Sequence, residues 1–421
     1  MARSQVALQA PATAEIERPN PYIDLVNPPS RCVPAITRLQ LQNFRSYDAA
    51  DLRFDGRIVV LTGPNGAGKT NLLEALSFLA PGRGLRRAAL GEVQRVNGAA
   101  PDDAPGHQNP NQPNPDWAVA ATIDTGTGPV TIGTGLERED GVERRALRID
   151  GAPRRGQSAL SELLTVAWLT PAMDRLFVEG ASGRRRFLDR LVQGRDPHHA
   201  GRLGAYEHAM RERARLLREG RADARWLDAL EDTMARHAVA TAAARRALCD
   251  QLAHAVALGV GPFPAADVTL DGELEQALDR QPALALEEAF RGVLAAQRAL
   301  DAETGTTTRG VHRTDLKVRH RAKAAPAERC STGEQKALLV ALQLAYARLL
   351  HATTGVPPVL LLDEIAAHLD EARRTALFDE LRALSGQAWL TGTDPVLFRP
   401  LGAAAEWLSV AESALFQGEI P

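Results

Sequence analysis

Lysine is what this sequence has least of for its charge: of 50 basic side chains only four are lysine, Lys69, Lys317, Lys323 and Lys336. A general preference for arginine and alanine accounts for the composition as a whole. Lys69, alone among the first 316 residues, therefore stands where an arginine does not serve. Cysteine is scarce too. Cys32, Cys249 and Cys330 have neither metal-ligand nor disulfide spacing, which fits a reducing cytoplasm, so a cytoplasmic location is expected. No run of about 18 apolar residues occurs, so no membrane span and no membrane partner are expected, nor does the start of the chain read as a secretory signal. Aromatics make up 5% of the chain, too few for a platform that stacks single-stranded bases. The net charge of -2 excludes a polycation, so any nucleic-acid binding must come from a local patch.

What is present fits a two-domain globular chain: 421 residues, 44% hydrophobic and 24% charged. Residues 1–34 are proline-rich without apolar periodicity and read as a disordered leader. Residues 36–44 alternate as a strand, 57–62 form a buried strand, and 71–79 are apolar at helical spacing. A polar loop covers 97–116. Three stretches, 117–124, 130–137 and 144–150, read as an antiparallel meander. Helical periodicity then dominates, with helices expected over 198–219, 223–258, 272–280 and 283–299. The chain returns to α/β at helix 333–350, strand 359–362, helix 371–384 and strand 388–391. The expected fold class is α/β: an N-terminal half (35–170) and a C-terminal half (321–421) of one domain, split by a mainly helical arm (171–320).

The chemistry begins at Gly63, Pro64, Asn65, Gly66, Ala67, Gly68, Lys69 and Thr70, which fill G-x-x-x-x-G-K-[ST] between a strand and a helix. The glycines let backbone N–H groups curl around phosphates at a helix N-terminus. Lys69 reaches the β- and γ-phosphates, and the Thr70 hydroxyl ligates Mg²⁺. A second metal ligand follows the apolar run Val359-Leu-Leu-Leu362. Asp363 is delivered to the metal at the strand's end, and Glu364 orients or deprotonates water. ATP and Mg²⁺ are thus the expected cofactors, with Lys69 and Glu364 the catalytic pair.

Ser331, Gly333, Glu334 and Gln335 open the next helix. Ser331 with Glu334 three residues on is a capping box. Beside a phosphate loop and a distal acid pair, the same residues resemble the signature motif of ABC-type ATPases, and Ala366–Asp370 resembles the D-loop. That resemblance implies ATP sandwiched between two copies, with Ser331, Gly333, Glu334, Gln335 and Asp370 facing the partner's nucleotide. Within that class, residues 37–46, 63–70, 73–76, 170–171, 185–189, 312–316, 331–335 and 361–364 together resemble the RecF family. The likeness runs from about residue 36 to the C-terminus. It implies a Rad50/SMC-like ATPase head and nucleotide contact by Arg45. It implies a slow, DNA-stimulated ATPase that dimerises on ATP, binds duplex DNA near single-strand gaps, and acts with RecO and RecR. It would help load RecA in DNA repair, replication restart and the SOS response.

Two departures stand out. No Q-loop glutamine lies near Thr170-Pro171, and the strand end Thr391-Gly-Thr-Asp394 has no switch histidine, so Thr393 or Asp394 is expected to take its place. His312 is read either as a hydrogen-bonding group or as a catalytic one. Residues 184–246 hold 15 arginines against nine acids. From these, Arg184, Arg185, Arg211 and Arg215 are the expected DNA contacts. An ABC transporter's nucleotide-binding subunit is the competing reading, disfavoured by the large basic insertion. A chromosome-organising head is another, disfavoured because Gly261-Pro-Phe-Pro264 would break a long rod.

Overall fold

The computed structural model describes residues 34–95, 116–139, 141–220 and 223–420. The expected leader and the polar loop 97–116 lie outside these, but for their last residues. The first stretch holds β1 (Ala35–Phe44), β2 (Tyr47–Arg53), β3 (Ile58–Thr62) and α1 (Lys69–Ser77). The meander follows as β4 (Ala118–Asp124), β5 (Pro129–Glu139), β6 (Val142–Ile149) and β7 (Ala152–Pro153). Next come α2 (Ser158–Leu163), β8 (Val166–Leu169), α3 (Ala181–Gln193), α4 (His199–Glu219) and α5 (Ala224–Ala257). After them lie β9 (Ala266–Asp271), α6 (Glu273–Ala277), α7 (Ala283–Ala296), α8 (Arg298–Thr304), β10 (Asp315–His320) and β11 (Ala325–Pro326). The chain closes with α9 (Thr332–Thr354), β12 (Val359–Leu362), α10 (Glu371–Leu384), β13 (Ala388–Gly392), β14 (Ala405–Ala411) and β15 (Ala414–Gln417).

The organising layer is a six-stranded sheet in the order β15-β14-β3-β13-β12-β8, parallel throughout except for the β14–β15 hairpin. It is buried on both faces, which is why its strands are continuous apolar runs rather than alternating ones. Ile58, Val60, Leu360 and Leu362 point into one core, shared with α3, α9 and α10. Val59, Leu61, Val359 and Leu361 point into the other, shared with α1 and the antiparallel sheet β2-β1-β4-β5-β6-β7. Buried Gln387 joins the two sheets: its amide accepts from Ile36 N at 2.9 Å and donates to Ile36 O at 2.9 Å. α9 has the length and composition of a membrane span, but 72% of its apolar window is buried inside the molecule, so it is a core helix.

The arm is narrower and less helical than expected. α5, about 50 Å long at 1.5 Å per residue, spans two cores. Its first half (Met234, Ala238, Ala242) packs with Tyr206, Phe290 and Leu294 in a separate helical cluster. Its second half (Leu248, Leu252, Val256) belongs to the head core, and so do Ala266 and Val268 of β9 and Leu316 and Val318 of β10. The three-stranded sheet β11-β10-β9 therefore sits at the arm's base, where the sequence suggested no strand.

Arg213 on α4 is fully buried and holds the arm together. It donates to Glu231 at 2.8 Å, to Asp301 at 2.7 Å and to the Leu294 carbonyl at 2.8 Å. Removing one partner of such a group leaves buried charge uncompensated. Arg213→Met is expected to destabilise the arm by about 3–5 kcal/mol, with Arg298 on Glu231 limiting the loss. A urea titration followed by circular dichroism checks this; an unchanged midpoint would refute it.

Candidate functional site

β3 runs into the glycine loop and α1 begins at Lys69, so the loop lies at the carboxyl edge of the parallel strands, where such sheets bind ligands. Close approach explains its glycines. A Cβ on Gly63 (φ +148) would come within 2.1 Å of the Val410 carbonyl of β14. One on Gly68 (φ +109) would meet the hydroxyls of Tyr47, Ser46 and Ser413 at 3.0, 3.2 and 3.3 Å. The loop is braced from both sides. Tyr47 donates to Gly68 O at 3.1 Å, and Ser413 N, in the β14–β15 turn, donates to Ala67 O at 3.0 Å. Burial pushes the Tyr47 phenol above its usual range, so it stays a neutral donor. Nothing local in the sequence marks Tyr47 or Ser413 as partners of the loop.

Lys69 is buried, with its ammonium donating to the carbonyls of Gly63 (2.7 Å) and Pro64 (2.9 Å) and lying 3.8 Å from Glu364 Oε1. Thr70 Oγ1 lies 3.0 and 3.1 Å from the two oxygens of Asp363. A hydroxyl at the end of the glycine loop and a carboxylate facing it from the end of β12 are the hard oxygen donors that Mg²⁺ takes, its remaining positions going to water and phosphate. The residues therefore fit the metal.

Thr391 is the residue the sequence reading passed over. β13 lies between β3 and β12, so the end of β13 sits between Thr70 and Asp363. Thr391 Oγ1 donates to Asp363 Oδ1 at 2.7 Å and accepts from Glu364 N at 3.0 Å. It fixes the Asp363 carboxylate and, through the backbone, Glu364. The expected stand-ins at this strand end are placed otherwise: Thr393 and Asp394 are exposed, and Asp394 accepts from Val396 N at 2.9 Å as a cap. Thr170 is also at this edge, since β8 ends where Leu169 O accepts from Asp363 N at 2.9 Å.

Ser331, Thr332 and Gly333 are exposed, and a Cβ on Gly333 would meet only open space. The capping box is formed: Ser331 Oγ accepts from Glu334 N at 3.4 Å, and the Glu334 carboxylate accepts from Ser331 N at 3.0 Å. Lys323 beside Glu334 holds that carboxyl down at about 2, so it stays ionised.

Several of the expected site residues have partners within the chain. Gln335 is buried, its amide donating to Cys330 O at 2.9 Å and shaping the turn before α9. Arg45 grips buried Glu74 at 2.8 and 2.7 Å and the Glu92 carbonyl at 2.7 Å, tying the β1–β2 turn to α1. Asp370 caps α10, accepting from Arg373 N at 2.8 Å, with its side chain still 57% exposed. His312 is held by Tyr206 Oη at 2.7 Å and Thr307 O at 2.9 Å, and burial lowers its pKa. It is a hydrogen-bonding group of the arm.

The expected DNA contacts also divide. Arg184 makes a fork to Asp315 at 2.7 and 2.9 Å and is half-buried. Arg185 donates to Thr314 O at 2.8 Å. Both pin α3 to the start of β10. Arg211 is exposed, 4.0 Å from Glu207, and Arg215 pairs with Glu212 and Glu219 on its own helix.

Phosphate loop, buried carboxylate at the end of a central strand, and exposed serine-capped helix define an ATPase head of the RecF/RecN/SMC class. The RecF/RecN/SMC N terminal domain matches residues 35–395. The chain belongs to the RecF family: it is 51% identical to the DNA replication and repair protein RecF of Rhizobium rhizogenes, over 90% of this chain and 98% of that one. The corresponding protein of Agrobacterium fabrum is 49% identical over 90% and 98%. Among solved structures, a recombination mediator protein RecF-ATP of the RecFOR pathway has the same fold (TM-score 0.75, 18% identity, 92% and 98% covered). The Smc head of Pyrococcus furiosus is more distant (TM-score 0.50, 16% identity, 91% and 95% covered).

Thr391→Val keeps the shape but removes the hydroxyl between Asp363 and Glu364. A hydrogen bond to a charged group contributes about 1.5–3 kcal/mol, so ATP turnover is expected to fall roughly tenfold or more. Steady-state hydrolysis across a Mg²⁺ series checks this; parent-like turnover would remove Thr391 from the site.

Proposed function

We propose that this chain is an ATP-dependent, DNA-binding recombination mediator that closes as a homodimer around ATP and Mg²⁺. The observation that carries the reading is the chain Thr70–Asp363–Thr391–Glu364 beside buried Lys69, together with a second, solvent-facing half-site at Ser331 and Gly333. One copy supplies Lys69 for the β- and γ-phosphates and Thr70 and Asp363 for the metal. Glu364 positions and deprotonates the attacking water. Ser331 and Gly333 of a second copy approach the γ-phosphate, and Asp370 lies at the same interface. Bound Mg²⁺ neutralises charge that develops on the phosphates during transfer.

Hydrolysis is slow, stimulated by DNA, and times release of the dimer. Duplex DNA near single-strand gaps is the nucleic-acid partner, RecO and RecR the protein partners, and RecA loading in repair, replication restart and the SOS response the outcome. The work is cytoplasmic. Support comes from family membership and from the fold shared with a recombination mediator protein RecF.

Lys69→Met leaves only backbone dipoles to face the phosphates and is expected to abolish ATP binding; wild-type affinity would refute the loop's role. Two further variants separate the half-sites in size-exclusion chromatography with ATP. Glu364→Gln retains ATP and metal, loses about 10²-fold or more in hydrolysis, and accumulates as dimer that holds DNA longer. Ser331→Arg binds ATP as a monomer but does not close. Identical behaviour of the two would reduce Ser331 to a helix cap and overturn the two-copy site.

A further inference from the structure

The loop after α1 and one face of α3 bring together four arginines that no carboxylate pairs with. Arg83 and Arg87 are exposed on the loop, and Arg186 is exposed on α3. Among the described residues none of the three makes an ion pair. Arg190, one helical turn beyond Arg186, lies beneath them. Its guanidinium stacks 4.4 Å from the Trp168 ring centre and 5.5 Å from Phe187, its Nε is buried without a partner, and Nη2 reaches only Trp168 O (3.5 Å) and Met173 Sδ (3.6 Å). Ala80 and Pro81 line the same cleft as Arg190, which places the loop against α3.

These like charges do not drift apart, because the backbone beneath them is fixed. Arg145 donates to the carbonyls of Ala80 (3.3 Å) and Gly82 (2.6 Å), and Gly82 N donates to Gln157 at 2.7 Å. Arg87 itself is held at φ +58, a conformation strained for a residue with a side chain. Burial, then Arg186 and Arg83, weaken the hold of Arg87 on its proton, with only Glu207 opposing. Burial, with Arg87 adding to it and the Tyr346 phenol opposing, lowers the Arg190 pKa to about 10, and no carboxylate restores it. Cations held together with Glu207 as the one opposing charge on Arg87, and no ion pair, are set up for an external anion. The α4 arginines differ, since Arg215 already has two acids.

We propose that Arg83, Arg87 and Arg186, backed by Arg190, form a contact site for the phosphate backbone of duplex DNA. The site rests on the DNA-binding reading above and moves its anion contact from the α4 arginines to this cluster. Duplex rather than single strand follows because the ring groups here, Trp168 and Phe187, are buried and cannot stack on bases.

The test is fluorescence anisotropy of the full chain on a labelled duplex, with ATP and Mg²⁺, over a series of salt concentrations. Each lost phosphate contact lowers the log–log salt slope by about 0.9, so replacing Arg83, Arg87 and Arg186 together by Ala is expected to lower it by roughly 2.7. Lysine at the same three positions should keep the slope, because a phosphate accepts a point charge. DNA-free ATP hydrolysis should not change. The charge-matched control replaces Arg280, Arg382 and Arg399, exposed on the arm after α6, on α10 and after β13, and should bind as the parent does. An unaltered slope in the Ala triple, or an equal drop in the control, overturns the site while leaving DNA binding intact. Absence of any duplex binding by the parent chain overturns the DNA-binding reading itself, and the site with it.

Discussion

Asp363 is 5% exposed at the end of a strand buried on both faces, and both of its oxygens are already engaged by hydroxyls. A carboxylate in that position is costly unless something compensates it. Here Thr70 and Thr391 bond it, and Lys69 stands beside neighbouring Glu364. The arrangement exists only because the strand order sets β13 between β3 and β12. Reversing any two of these strands would strand the carboxylate away from the phosphate loop. The nucleotide site is therefore a property of sheet topology before it is a property of motifs.

The same logic connects the arm to the head. α5 is one continuous helix with half its apolar face in each core, so the arm cannot pivot freely about its base. At the junction, Arg245 of α5 forks onto Asp189 of α3 at 2.8 and 2.9 Å, and Asp189 also takes His199 of α4 at 2.8 Å. Arg184 on the same α3 grips Asp315 of β10. α3 thus carries ion pairs inward to the arm's base and presents Arg186 outward. A tilt of the arm must move α3, and α3 borders the β8 edge of the nucleotide sheet.

What could be read from the sequence was local, and what could not was tertiary. The phosphate loop, the acid pair and the capping box are each contiguous, so spacing alone displays their chemistry. Thr391 is a hydroxyl within an apolar strand, and Tyr47 and Ser413 lie far from the loop they brace; only the fold gives them meaning. β9 and β10 were hidden because six-residue alternation is easily lost inside an arginine- and alanine-rich stretch. The arginine cluster at 184–186 divides for a geometric reason that its sequence does not display. Successive helical residues point about 100° apart, so Arg184 and Arg185 turn inward to β10 while Arg186 faces solvent. Adjacency in sequence is not adjacency in charge.

The capping box at Ser331 looks at first like a rival to a role in binding phosphate, since the same hydroxyl serves both. The two are compatible. A hydroxyl has two acceptor lone pairs and one proton to donate. Capping uses one lone pair, toward Glu334 N, and leaves the O–H free to turn outward. Glu334 meanwhile occupies the Ser331 N–H and is itself neutralised by Lys323, so its negative charge does not meet an incoming anion unscreened. The exposed Thr332 and Gly333 amides lie in the first turn of α9, where the helix dipole favours negative charge. A cap worth about 0.5–2 kcal/mol to the helix thus holds the turn in shape while engaging only the Ser331 and Glu334 amides, so the capping contact and the proposed phosphate contact use different donors of the same few residues.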